Sequence, residues 1–281
     1  MSTNVLVTGC SSGIGLRAAV ALGKAGFRVL ATMRDVTRRE RLDEAARAAS
    51  VTLDVLPLDV RDESAIERAV RTADLQGGLD VLVNNAGAGL SGFVHDVELS
   101  EYRELFETNF FGVVAMTKAF LPGMIRRRRG RIINVSSFNG RVAFPCVSAY
   151  VASKFAVEGF TESLRIEAAP FEVWATLIEP GGFRTDIFDR NRREARRMRD
   201  PSSPYAPVVG EMDALLRKNE RHLGDPDRVA RVIVRAAGER RPELRYVVGA
   251  DARAGNLIRG ALPWGVWERF VGALTRVSKL G

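Results

Sequence analysis

Short apolar, often β-branched runs alternate along this chain with longer stretches in which apolar residues recur every three or four positions. Asn4-Val-Leu-Val-Thr8 reads as a buried strand, Leu16 to Lys24 as an Ala/Leu-rich helix ended by Gly26, and Phe27 to Met33 as a second buried strand. Val51 to Leu58 and Leu79 to Val83 are further strands, with an amphipathic helix predicted between them over Asp62 to Thr72. The rhythm continues with a helix within Leu99 to Phe120, a strand Arg131 to Val135, a helix around Tyr150 and a strand Val173 to Ile178. A helix from Asp227 to Ala237 and a strand from Leu244 to Val248 close the series. Such alternation predicts one doubly wound α/β domain over residues 1–281, a parallel sheet with helices on both faces, and no linker or repeat divides it.

The punctuation between elements carries the candidate chemistry. Between the first strand and helix stand Gly9, Cys10, Ser11, Ser12, Gly13, Ile14 and Gly15. Glycines there permit a tight turn and let backbone N–H groups approach a pyrophosphate at the positive end of the helix. The same residues satisfy G-x-S-x-G, the nucleophile elbow of hydrolases, but that reading needs a later acid and histidine. His95 and His222 are the chain's 2 histidines, and neither has triad-like surroundings. Dinucleotide binding is therefore the reading carried forward. At the end of the second strand, Met33-Arg34-Asp35 leaves room for a ribose 2′-phosphate beside a bidentate guanidinium, which favours NADP. The alternative is a solvated Arg34 with Asp35 on a ribose hydroxyl, as for NAD. Asp59-Val60 and Asn84-Asn85-Ala86-Gly87 follow later strands, where parallel sheets deliver ligand contacts from their carboxyl ends.

Tyr150 and Lys154 lie four residues apart, with Ser137 thirteen positions upstream. On a helix this spacing puts phenol and ammonium on one face. The ordinary pKa of the phenol is about 10, so proton exchange near neutrality requires roughly 4 kcal/mol of differential stabilisation. One ammonium at about 4 Å in an effective dielectric of about 20 supplies nearly that much. With 4 tyrosines and 5 lysines in 281 residues, such a pair arises by chance with a probability of about 0.07, so its setting has to decide. The 42 Lys and Arg include only those 5 lysines, which marks the compact ammonium at 154 as a departure from habit.

With these motifs in place, residues 4 to 250 resemble the classical short-chain dehydrogenase/reductase family, and most closely its 17β-hydroxysteroid and retinol dehydrogenase branch. The resemblance rests on Thr8 to Leu16, Ala31 to Asp35, Asp59-Val60, Asn84 to Gly87, Asn109 in Glu107 to Gly112, Ala119 to Met124, Ser137, Tyr150, Lys154, Pro180-Gly181 and Thr185. It implies a Rossmann-type fold and an NADP(H)-dependent oxidoreductase interconverting a ketone and a secondary alcohol, with a steroid-, retinoid- or lipid-like substrate. By the same resemblance Tyr150 is the general acid/base, Lys154 lowers its pKa and holds the nicotinamide ribose, and Ser137 binds the substrate oxygen. Asn109 holds a water that links Lys154 to solvent, and Pro180, Gly181 and Thr185 join the cofactor-binding set. Other readings are a β-ketoacyl or polyketide ketoreductase and a non-catalytic NADP(H) sensor, although an intact Ser137, Tyr150 and Lys154 has no use in a sensor. No metal is expected.

Composition bounds the rest. At 281 residues and 46% hydrophobic, the chain is long enough for one large core. Two cysteines, Cys10 and Cys146, and no apparent signal or spanning segment ahead of the first strand point to a reducing cytoplasm. The net charge is +8, with basic clusters at Arg126 to Arg129 and Arg190 to Arg199. Without interleaved aromatics they read as solvated faces rather than nucleic-acid contacts. By family habit residues 185–225 form a substrate lid, and the chain assembles as a homodimer or homotetramer. In the C-terminal extension, 251–281, Trp267, Phe270, Val271 and Leu274 recur at helical spacing beside Trp264, Arg269, Arg276 and Lys279. Packing against the chain's own pocket or a partner subunit competes there with weak peripheral membrane contact and with disorder.

Overall fold

Alternate residues of the inner strands bury on opposite faces, and this two-sided burial stacks helices on both sides of one sheet. The computed structural model describes residues 3–185, 192–220 and 223–280. Its elements run β1 (Asn4–Val7), α1 (Gly13–Lys24), β2 (Arg28–Met33), α2 (Glu40–Ala48), β3 (Asp54–Pro57), α3 (Glu63–Leu75), β4 (Val81–Asn84) and β5 (Gly89–Ser91). There follow α4 (Leu99–Phe106), α5 (Gly112–Arg127), β6 (Gly130–Val135), α6 (Ser148–Ala168), β7 (Val173–Pro180) and β8 (Arg192–Glu194). The last are α7 (Ala206–Glu220), α8 (Asp227–Gly238), β9 (Arg245–Val248), α9 (Ala250–Ala261) and α10 (Trp264–Thr275).

Seven of these strands form one parallel sheet in the order β3-β2-β1-β4-β6-β7-β9. Val5, Val7, Val29, Val81 and Ile133 face α1, α2 and α8, while Leu6, Leu30, Leu82 and Ile132 face α3, α5 and α6. The strand order reverses between β1 and β4, and such a switch point opens a crevice at the strand tips. Asp62 starts α3 by accepting from the backbone N–H groups of Ser64 and Ala65, a cap worth about 1 kcal/mol.

Three departures from the sequence expectation have physical causes. The strand expected over Val51 to Leu58 is confined to Asp54–Pro57, because it lies at the sheet edge and is only half covered. The helix within Leu99 to Phe120 is broken by a π-turn at Glu107–Phe111, after which α5 runs past Pro122. Pro122 and Lys118, whose carbonyl it leaves without a donor, both lie on the exposed side, where the loss is cheap. The basic run at Arg126 to Arg129 includes structural fasteners: Arg127 donates to Leu79 O, Arg128 to Pro170 O, and Arg129 pairs with Asp80.

Within 185–225, residues 186–191, 221 and 222, and with them Arg190 and His222, lie outside the described residues. The described part is anchored. β8 pairs in parallel with β5, the Tyr205 ring stacks on Phe93 at 4.2 Å, and Met198, Val208 and Met212 share an apolar cluster with Leu90 and Cys146. Arg193 and Arg196 bind Glu104 and Glu98 near and along α4, so this basic cluster answers an acidic face of the same chain. At the C-terminus Trp267 and Val271 are buried against Val142, Phe138 and Phe144, whereas Trp264, Phe270 and Leu274 are about half exposed. No helix among the described residues is long and apolar enough to cross a membrane.

Candidate active site

The first turn of the chain is shaped by what a side chain would hit. Gly9 has φ +74°, and a Cβ on it would lie 2.9 Å from Ala86 Cα; one on Gly15 would lie 2.2 Å from Gly9 O. Thr8 Oγ1 accepts from the N–H groups of Asn85 and Ala86, and Asn85 Nδ2 donates to Thr8 O and Gly9 O. The two loops that flank the switch point are thereby locked together. No side chain caps the N-terminus of α1, and no acid stands in its first turn, so its N–H groups are left for an anion. A glycine cradle below an uncapped helix fits a dinucleotide pyrophosphate.

The opposite wall of the crevice is built by the tip of β6 and the first turns of α6. Ser137 follows β6, caps a short 3₁₀ turn by accepting from Asn139 N–H, and lines the same cleft wall as Tyr150. Lys154 is 5% exposed; its Nζ donates to Val135 O at 2.9 Å and lies 5.7 Å from the Tyr150 ring centre. Burial pushes the Tyr150 phenol above its ordinary value, and the neighbouring Ser137 hydroxyl pulls the other way. Burial also lowers the Lys154 ammonium to about 8, against an opposing pull from Glu158. The start of α6 is held by a hydrogen bond of 2.6 Å between the hydroxyls of Tyr102 and Ser148.

A cleft of about 490 Å³ joins the two walls. It is lined by Gly9, Ser11, Ser12, Gly13, Ile14, Arg34, Asp59, Val60, Asn85, Ala86, Gly87, Ser137, Tyr150, Lys154, Pro180, Gly181 and Thr185. Gly15 sits beneath the turn rather than on the cleft wall. Asn109 stands behind the wall: its amide bonds Ala88 N–H, Ala88 O and Ser153 Oγ from the π-turn. Cys146 is a buried member of the neighbouring apolar cluster, and burial drives the Cys10 thiol to about 12, which leaves it unreactive.

The cleft also includes Arg38, Phe138, Phe183 and Arg193, which no motif singled out. Arg38 had a local signal, one turn beyond Arg34. Phe138 and Arg193 reach the cleft through a 3₁₀ turn and a β5–β8 pairing that leave no periodic trace. At the outer end Asp35 accepts from Thr37 N–H and Oγ1 and pairs with Arg38, so its carboxylate is engaged locally.

This arrangement has many counterparts. The family model described as short chain dehydrogenase matches residues 3–196. An uncharacterised oxidoreductase of Bacillus subtilis, YusZ, is 40% identical over 266 residues, covering 94% of this chain and 95% of its own. Retinol dehydrogenase 8 of Homo sapiens is 40% identical over 249 residues, with 86% and 79% covered, and human 17-beta-hydroxysteroid dehydrogenase type 1 is 37% identical over 255, with 87% and 76% covered. The crystal structure of a Streptomyces avermitilis short-chain dehydrogenase superposes with a TM-score of 0.80 at 32% identity, over 99% of this chain and 98% of that one. A metagenomic short-chain oxidoreductase in complex with NADP gives 0.69 at 27% identity, over 88% and 96%. Sheet order, glycine turn and sequence identity agree, and the chain belongs to the short-chain dehydrogenase/reductase family of oxidoreductases, in the branch with retinol and 17β-hydroxysteroid dehydrogenases.

Proposed function

We propose that this protein is an NADP(H)-dependent oxidoreductase that interconverts a ketone and a secondary alcohol on a bulky, apolar substrate, with Tyr150 as general acid/base. The observation that carries the reading is that Ser137 and Tyr150 share one wall of the cleft, with the buried ammonium of Lys154 one helical turn along. When bound, the nicotinamide supplies the hydride for reduction or takes it for oxidation. Tyr150 delivers its phenolic proton to the substrate oxygen, and Ser137 donates a hydrogen bond to that oxygen and orients it. Lys154 favours the phenolate left behind and so eases the transfer.

NADP is favoured over NAD by the outer end of the cleft. Arg34 and Arg38 both line it, while Asp35 is occupied with Thr37 and Arg38. An apolar substrate is favoured by what surrounds Tyr150: Leu90, Phe93, Ala149 and Met198 in one cluster, and Phe138 and Phe183 on the cleft itself. Relatives named for retinol and 17-beta-hydroxysteroid chemistry point the same way.

The test is direct. Purified protein is expected to oxidise NADPH in the presence of a bulky apolar ketone, and Tyr150→Phe to lower kcat about 10³-fold with NADPH affinity nearly unchanged. Turnover that survives in Tyr150→Phe would refute the role given to the phenol.

A further inference from the structure

The face of α6 that presents Tyr150 and Lys154 continues with Glu158 and Glu162, each one spacing of four residues farther along. Glu158 is 5% exposed and Glu179 on β7 is fully buried, so the helix carries an acid into the protein directly behind its catalytic pair. A buried carboxylate with no partner is costly, and the surroundings show how this one is kept. Arg245 on β9 binds Glu158 at 3.2 Å, Glu179 at 2.9 Å and also Glu162. Arg141, after the 3₁₀ turn, stands 3.7 Å from Glu179, and Asn256 on α9 donates to it at 3.5 Å.

One oxygen of this cluster is buried beside the turn that carries Ser137. Glu158 Oε1 has no hydrogen bond of standard geometry and meets the Ser136 hydroxyl above Gly140, where an added Cβ would lie 2.6 Å from Ser136 Oγ and 3.1 Å from Glu158 Oε1. Ser136 adjoins both Ser137 and Val135, whose carbonyl accepts from Lys154 Nζ. The charged groups around the Lys154 ammonium are therefore Glu158 on its own helix and, beyond it, Glu162, Glu179, Arg245 and Arg141. Burial and the nearby Glu179 raise Glu158 to about 7, and Glu158 in turn opposes the fall of Lys154.

We propose that Glu158 is a positioning residue for the reaction, the buried counter-charge that keeps Lys154 an ammonium and so sets the upper pH limit of proton delivery by Tyr150. The inference rests on the oxidoreductase reading above. An ionised Glu158 favours protonated Lys154, and protonated Lys154 favours exchange at the phenol; without the carboxylate the ammonium loses its proton at lower pH.

The experiment is the pH profile of kcat for ketone reduction in wild-type protein, in Glu158→Gln, which keeps the shape and removes the charge, and in Glu158→Asp. In Glu158→Gln the alkaline limb is expected to move to lower pH by about half a unit or more, a loss of roughly threefold on that limb. Glu158→Asp is expected to recover most of it. Unfolding midpoints and NADPH affinity are measured on the same samples. A Glu158→Gln profile that superposes on wild type, whatever the change in midpoint, overturns the proposal, because a purely structural role moves stability and not the limb. Should Glu158→Gln not fold, Arg245→Gln serves: it removes the cation that holds Glu158 ionised, and the alkaline limb is again expected to move to lower pH. No movement there overturns the proposal as well. Failure of the underlying reading is recognised separately, by turnover in Tyr150→Phe.

Discussion

Arg34 shows how a side chain singled out by its place in the chain acquires its company only in the fold. Its place after a strand that ends in Met33 marks it as a candidate phosphate ligand, and the cleft brings Arg38 beside it. Asp35, the residue that an NAD reading requires, is bonded to Thr37. A charge-assisted bidentate contact contributes about 1.5–3 kcal/mol, so Arg34→Ala is expected to lower the NADPH to NADH ratio of kcat/KM by about tenfold to a hundredfold. Steady-state kinetics with both cofactors checks this, and an unchanged ratio would remove Arg34 from the cofactor set. Ser137, Tyr150 and Lys154 were legible because their spacings along the chain encode one helix face and the strand tip beside it. Phe138 and Arg193 were not, because their approach to the cleft depends on a turn and on pairing between distant segments.

At the scale of elements, α6 and the π-turn before α5 are joined by one amide. Asn109 bonds both backbone groups of Ala88 and the hydroxyl of Ser153, which itself donates to Tyr150 O. A π-turn was invisible in the pattern of apolar residues, since it is a single wide turn set inside an otherwise continuous helical run and has no residue type of its own. Asn109→Ala leaves the N–H and C=O of Ala88 without partners, and a loss of about 2 kcal/mol in urea unfolding is expected, with reduced kcat. Full stability in that variant would mean that the loop finds other partners. The segment around β8 follows the same logic. Its arginines read as a solvated basic run, yet Arg193 and Arg196 meet Glu104 and Glu98 because β8 adds to β5 and lays one segment against the other.

Across the whole molecule, the cleft is closed by chain that lies far from the motifs. Trp267 is 4% exposed, packs on Phe144 and shares a cluster with Phe138, which lines the cleft. Trp267→Ala is expected to cost about 3 kcal/mol of stability and to raise KM for a bulky ketone while leaving NADPH affinity unchanged. Unfolding curves and KM measured together decide it; an unaltered KM would separate α10 from the substrate side. The chain's linear order by itself determined the alternation of strands and helices, the glycine turn at the first strand and the spacing of serine, tyrosine and lysine. These are local matters, set by steric limits, burial periodicity and residues within a few turns of one another. Tertiary structure alone decided that Glu158 is buried behind Lys154, that Asn109 braces Ala88, and that α10 backs the cleft through Phe138. Each of these depends on segments dozens of residues apart meeting in a packed interior, where burial and partner, not residue type, set the charge and the role of a side chain.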